Sequence, residues 1–436
     1  MGKASDSQET ISNHSKPVFL ILPLAAAVVY FFTNPKPQNY YDYTFRVAAN
    51  LLRGAIGFKF PQPSWLNEFV PFEGFYYSVF PLGAVLSMLP FAALQVMGVF
   101  RDMPGALIAA ILAGVSCFYL LKIAERYDVS EAKKNLLTLA ILFGTWTWTN
   151  LTFDGAWQLA LGFAMVGELG AIYYTVFDRK PLLAGAFFAL AFGNRTEILL
   201  TAPISFFLID REDGETQSEA GVTRKTTGKG GKDRNLRPTA FSSLRVSAVS
   251  FQLLAKFCAI PFLLGIATLS YNYLRFHSFT DFGYDRIPGV LNEPWYNHGI
   301  FSLYYIPRQA WEMLWKTWRF LNAFPYLVPD GFSSSILWSS PFLLFVLRPG
   351  SRDKVLKYTS WTAVVILTFL LWIHGNSGGW QFGYRYAMIL LPWLFVILLE
   401  SSPKKITPLE WAAYSFSFAM NAYATWLFHW TDYVKP

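Results

Sequence analysis

Charge is what this chain has least of. Only 15% of its 436 residues are charged, against about 25% in an ordinary soluble domain. With 53% hydrophobic residues and a mean hydropathy of +0.31, a fold in water would leave too much apolar surface exposed. Cysteine is nearly absent too. Cys117 and Cys258 both lie in apolar runs, which removes any disulfide framework and reads them as small buried hydrophobes. The five histidines show no HExxH spacing and belong to no Cys/His metal set. No GxSxG elbow supports a Ser–His–acid triad. The GKGGK at 228–232 lacks the four-residue spacer and following Ser/Thr of a nucleotide loop, so it reads as flexible linker. No soluble catalytic domain is legible, and no internal repeat of the kind inverted-repeat transporters carry.

What is present is apolar and rich in rings. Aromatics make up 18%, with 41 Phe, 23 Tyr and 16 Trp, suited to interfacial belts and to stacking on sugars or isoprenoid tails. Apolar runs at about 17–33, 104–124, 135–150, 156–177, 181–193, 196–209, 248–270, 335–348, 358–374, 386–400 and 408–428 predict an all-α polytopic membrane protein with roughly 10–11 transmembrane helices. The run 17–32 follows a polar tail containing Lys3 and Lys16 without a small-residue cleavage site, so it is read as a retained span.

The stretch 78–100 is apolar but broken by Pro81 and Pro90. If it dips in and returns, Lys122, Arg126, Lys133, Lys134, Arg179, Lys180, the basic run 210–245, Arg348, Arg352, Lys354, Lys357, Lys404 and Lys405 all face the cytoplasm. The positive-inside rule favours that arrangement. The stretch is therefore read as a re-entrant or juxtamembrane helix, with the N-terminus inside. Cytoplasmic loops then account for the formal charge of +8, and no nucleic-acid partner is called for. The organisation expected is a cytoplasmic tail 1–16, a first transmembrane module 17–209 with outer loop 34–103, a basic cytoplasmic linker 210–247, and a second module 248–436 with outer loop 271–334.

Polar chemistry collects on the outer side. Asp42 and Arg46 are four apart and share a helix face; a carboxylate fixed there could serve as general base, or form an exposed salt bridge. Glu73-Gly74 makes a turn before Tyr76 and Tyr77, which could line a cavity or anchor at the interface. Asp154 stands at the mouth of a span, as functional acid or helix cap. Arg195 lies beside Glu197 next to apolar runs, as an ion pair or a functional group. Arg275 and Arg385 could grip a lipid-linked phosphate or snorkel. Glycines 375, 378, 379 and 383 precede Arg385 and would let backbone approach a ligand. His374 and Tyr384 flank the same stretch as candidate substrate contacts. The scattered acidic residues leave room for a divalent cation, though no DxD pair is present, and no other cofactor is implied.

Taken in order, Asp42 after the first span, EGFYYSVFPLGAVLSMLP, FGTWTW, FGNRT, YNYLRFHSFTDFGY and GGWQFGYRYAMILLPW resemble the GT-C superfamily of membrane glycosyltransferases. The branch is similar to bacterial relatives of the dolichyl-phosphate-mannose–protein mannosyltransferases. The resemblance runs from about Tyr40 to Pro392. It implies transfer of a sugar, with inversion, from a polyprenyl-phosphate donor at the non-cytoplasmic face of a bacterial-type plasma membrane, to an acceptor it does not name. It maps the catalytic base onto Asp42, a second acid onto Asp154, and the donor phosphate onto Arg385, with Glu73 in the same loop as Asp42. A lone Asp42 replaces the acidic pair of many relatives, which weakens metal assistance. The competing readings are a transporter or flippase, or a non-catalytic assembly subunit. A transporter should carry charge at mid-membrane, and Lys256 is the main charge read inside a span.

Overall fold

In the computed structural model the described residues are 18–36, 40–211 and 248–434. The expected tail 1–16 and all but the first two residues of the linker 210–247 lie outside them. The chain is mostly helical, as lipid requires, because a helix satisfies its own backbone polar groups. In chain order the elements that matter are α1 (Val18–Thr33), α2 (Tyr43–Leu52), a hairpin of β1 (Phe69–Phe72) and β2 (Phe75–Ser78), α3 (Leu82–Val96), α4 (Gly105–Ala124), α5 (Glu131–Phe143), α6 (Thr147–Leu151) and α7 (Ala156–Ile172). There follow α8 (Pro181–Asn194), α9 (202–211), α10 (Ala248–Phe276), α11 (Ile306–Leu314), α12 (Ile336–Ser339), α13 (Lys354–Ile373), α14 (Leu391–Glu400) and α15 (Pro408–Trp430). Among the described residues four helices are long and apolar enough to cross a membrane: Gly105–Ala124, Ala156–Phe177, Phe251–Phe276 and Lys354–Ile373.

Burial sorts them into layers. The second of these helices is enclosed by protein along most of its length, whereas that of Phe251–Phe276 is almost bare, with Phe262 and Leu263 exposed. Such a face is unfavourable in water and ordinary against acyl chains. α14 is buried throughout. α1 packs on α4, α8 lies between α7 and α10, and α2 lies along α3.

The stretch 78–100 leaves the end of β2, behind a hairpin with a two-residue turn, and forms α3. Glu73 and Gly74 take φ of 46° and 79°, the paired left-handed geometry that tight hairpins use. α3 starts beside the end of α8, where a Cβ on Gly83 would lie 2.4 Å from Gly193 Cα. The chain re-enters helix at Gly105, against the Asp154 side chain. The starts of α3 and α4 thus lie toward the same end of the bundle.

The opposite end is tied by charge. Lys133 and Glu410 are both fully buried and 2.9 Å apart, and Arg348 reaches the same carboxylate at 2.5 Å. Lys133 Nζ also donates to the Pro403 carbonyl at 2.7 Å. Glu410 closes a capping box with Thr407 at the start of α15. Arg211 pairs with Asp353 at 2.9 Å. Glu410→Ala should lower stability by about 3–5 kcal/mol, because it strands a buried ammonium. Glu131→Ala, which removes an exposed partner of Lys134, should change it by about 0–1 kcal/mol. Thermal unfolding in detergent measures both; equal effects would remove the buried pair as the tie.

Candidate active site

The residues that gather at the α3 end come from four breaks in helical backbone. Glu68 directly precedes β1. Trp157 opens α7. Arg195 ends α8 in an extended conformation before a 3-10 turn, Thr196–Thr201. The chain 374–384 then leads to a second 3-10 turn that opens on Arg385. Non-helical backbone at membrane depth persists only where protein buries it or a cavity receives it. Here it lines a cavity of about 840 Å³, walled by Glu68, Trp157, Arg195, His374, Arg385 and Tyr386 among others.

Arg385 is 5% exposed. Its backbone N–H donates to Gln381 Oε1 at 2.8 Å, which pins the start of the turn. Gly378, at φ 119°, clears its path, since a Cβ there would lie 3.1 Å from Arg385 Nε. The guanidinium makes long contacts to the Trp380 carbonyl (3.5 Å) and the Tyr386 hydroxyl (3.4 Å), and Nε has no hydrogen-bond partner. Among the described residues no carboxylate lies within 4 Å of it. Tyr386 presents its ring to Arg385 at 5.1 Å and to Arg195 at 4.6 Å. Arg195 is satisfied, donating to Glu197 Oε1 through Nε (2.8 Å) and Nη2 (2.5 Å).

Glu68 faces the same space. Trp157 Nε1 donates to both its carboxylate oxygens at 3.0 Å, and Trp157 in turn packs, tilted or edge-on, among Tyr41, Tyr43 and Phe80. Burial pushes the Glu68 carboxyl up to about 7; the Trp157 N–H and the Arg385 charge oppose the rise, and Glu293 adds to it. Glu68 is half-buried and keeps contact with the cavity. His374 bonds the Asn376 carbonyl through Nδ1 at 2.7 Å, so Nδ1 carries the proton and Nε2 a lone pair. Burial holds it below its ordinary pKa.

The residues expected from sequence divide accordingly. Arg385, Arg195 and His374 share the cavity wall. Asp42 does not line it, although its neighbour Tyr41 does. Its carboxylate is held by Arg46 through Nε and Nη2 at 3.1 Å. Burial raises its pKa in spite of that partner. Asp154 is fully buried at φ 56°, and only its neighbour Gly155 reaches the cavity. Glu73 is exposed on the hairpin and meets His277 at 2.9 Å. Arg275 is buried elsewhere, bound to the Ser78 carbonyl and, at 2.6 Å, to Asn272 Oδ1; it pins the end of α10 to β2. Tyr76 pairs with Phe58, Tyr77 packs on Phe276, and the buried Tyr384 hydroxyl donates to Gln309 at 2.9 Å. None of these three lines the cavity. Of the four glycines, Gly379 alone opens onto it, while Gly375 and Gly383 make room for Trp295 and Trp146.

Glu68 carried no signal in the sequence beyond a carboxylate in the first outer loop, and its indole partner lies 89 residues away. No group of three or more His, Cys, Asp or Glu among the described residues could hold a metal ion. Comparison with family models, curated proteins and solved structures finds no match for this chain.

A carboxyl whose pKa is raised on folding stabilises the protein fully below its ordinary value near 4.5 and loses that contribution as pH climbs through about 7. Glu68→Gln should therefore be more thermostable than the wild type at pH 8, with the gap closing toward pH 5. A gap independent of pH would show that Glu68 titrates normally.

Proposed function

We propose that this chain is a GT-C-like glycosyltransferase of roughly 10–11 crossings, which moves a sugar from a polyprenyl-phosphate donor to an acceptor hydroxyl. One observation carries the reading: a buried guanidinium without a carboxylate, Arg385, opens onto the same cavity as a carboxylate that titrates near 7, Glu68. A phosphodiester bears a single negative charge, and a buried guanidinium fork without a carboxylate complements it. The apolar wall of Leu200, Phe301 and Leu370 offers an isoprenoid chain a path from lipid. The rings of Trp157, Tyr284 and Tyr386 suit sugar faces.

In this reaction the acceptor oxygen attacks the sugar C1 from the face opposite the phosphate, and the C1–O bond to the lipid phosphate breaks with its electron pair. Glu68 takes the acceptor proton, and Arg385 stabilises the charge gathering on the departing phosphate. Glu68 thereby takes the base role that the family resemblance puts on Asp42, because Arg46 already claims the Asp42 carboxylate. Basic side chains crowd the opposite end of the bundle, so the positive-inside rule puts the cavity on the non-cytoplasmic face, with the N-terminus in the cytoplasm of a bacterial-type cell.

Labelled polyprenyl-phosphate sugars supplied to membranes containing the full chain test this. Glu68→Gln should cut transfer by about 10²–10⁴-fold. The wild-type rate should rise with pH through about 7, and Asp42→Asn should lose far less than Glu68→Gln. Full activity in Glu68→Gln, or collapse in Asp42→Asn alone, would return the base to Asp42. Arg385→Gln should weaken both donor binding and turnover, and unaltered kinetics there would sink the phosphate assignment.

A further inference from the structure

Glu168 lies within the apolar helix Ala156–Phe177, about 18 Å along its roughly 33 Å length at 1.5 Å per residue. It is an ionisable group inside a span in addition to Lys256, the main one read from the sequence. The Glu168 side chain is 3% exposed. One carboxylate oxygen accepts from Trp393 Nε1 at 3.1 Å; the other has no hydrogen-bond partner, and neither has Thr175 Oγ1. No Lys, Arg or His pairs with Glu168 among the described residues. Both unpartnered oxygens belong to residues that wall a small cavity of about 10 Å³, together with Thr201, Ser205 and Trp393 in an otherwise apolar lining. That volume is close to the smallest that admits one water-sized particle. Thr201 donates its hydroxyl proton to the Ile198 carbonyl at 2.8 Å, which leaves its oxygen lone pairs available to a cation.

The backbone is irregular on both sides of this cavity. α7 loosens into a π-helical turn, Tyr173–Phe177, and the facing strand of chain tightens into the 3-10 turn Thr196–Thr201. Single π turns concentrate at functional sites, and interrupted helices with free oxygens are how membrane proteins hold small monovalent cations. An uncompensated carboxylate at this depth is strongly unfavourable, and a bound cation is one way to relieve it.

We infer that Glu168, Thr175, Thr201 and Ser205 form a buried site for a monovalent cation of sodium's size, separate from the large cavity and independent of the transfer reaction. The ligands are hard oxygens, one of them charged, as such an ion prefers.

Thermal unfolding of the detergent-solubilised full chain, in NaCl against choline chloride at constant ionic strength, tests the site, with KCl as the size control. The unfolding temperature should rise saturably with Na⁺ and less with K⁺. Glu168→Gln, which keeps an acceptor for Trp393, should abolish the response, and Thr175→Val should move its midpoint to higher concentration. Identical unfolding in Na⁺ and choline would mean that Glu168 is simply protonated or bridged by water, and would overturn the proposal. A Na⁺ response that survives both substitutions would place the ion elsewhere and overturn it equally.

Discussion

Two guanidinium groups, Arg195 and Arg385, face one tyrosine ring, and only Arg195 has a carboxylate of its own. A buried cation without a counter-charge is unfavourable unless something else supplies the charge. The surroundings of Arg385 are built to keep it in place regardless. Gln381 holds its backbone, Gly378 leaves it room, and the aromatic faces of Tyr386 and Trp157 give it a weak electrostatic home. Across the cavity Glu68 is kept from ionising early by burial, yet held ready by the indole N–H. The pair is charge-complementary without a direct contact, and both open onto one cavity.

The opposite end of the bundle solves the same problem by closing its charges on each other. Lys133 and Arg348 share the buried Glu410 carboxylate, and the Pro403 and Lys405 carbonyls take up remaining protons of Lys133. Breaking one member strands the rest, so that end behaves as a rigid tie. The chain thus has one end whose buried charges are spent on structure and one where, among the described residues, Arg385 and Glu68 stay free of an ion-pair partner. Between them Glu168 is the exception, a carboxylate at mid-helix with one oxygen committed to Trp393.

Much of the framework was legible from local sequence. Long apolar runs have one stable form in lipid, so Gly105–Ala124, Ala156–Phe177 and Lys354–Ile373 follow from hydropathy alone. The Glu73-Gly74 turn was legible because few dipeptides tolerate two positive φ angles. Arg385 and Arg195 stood out because ionisable groups beside apolar runs are rare and need a reason. Glu68 did not stand out. Nothing in its neighbours distinguishes it from Glu73, five residues on in the hairpin turn, which turned out to face outward toward His277.

The amino-acid order by itself determined that this is a helical chain with apolar segments fit for a membrane, and that its acidic and basic groups are segregated along it. These properties depend on residues within one or two helical turns of each other. Which carboxylate of the first outer loop meets the cavity was decided only in three dimensions. Asp42 is claimed by Arg46 four residues away, while Glu68 is claimed by Trp157 and sensed by Arg385, far along the chain. A pKa depends on the burial and the charges brought around a group by folding, and no local pattern encodes those.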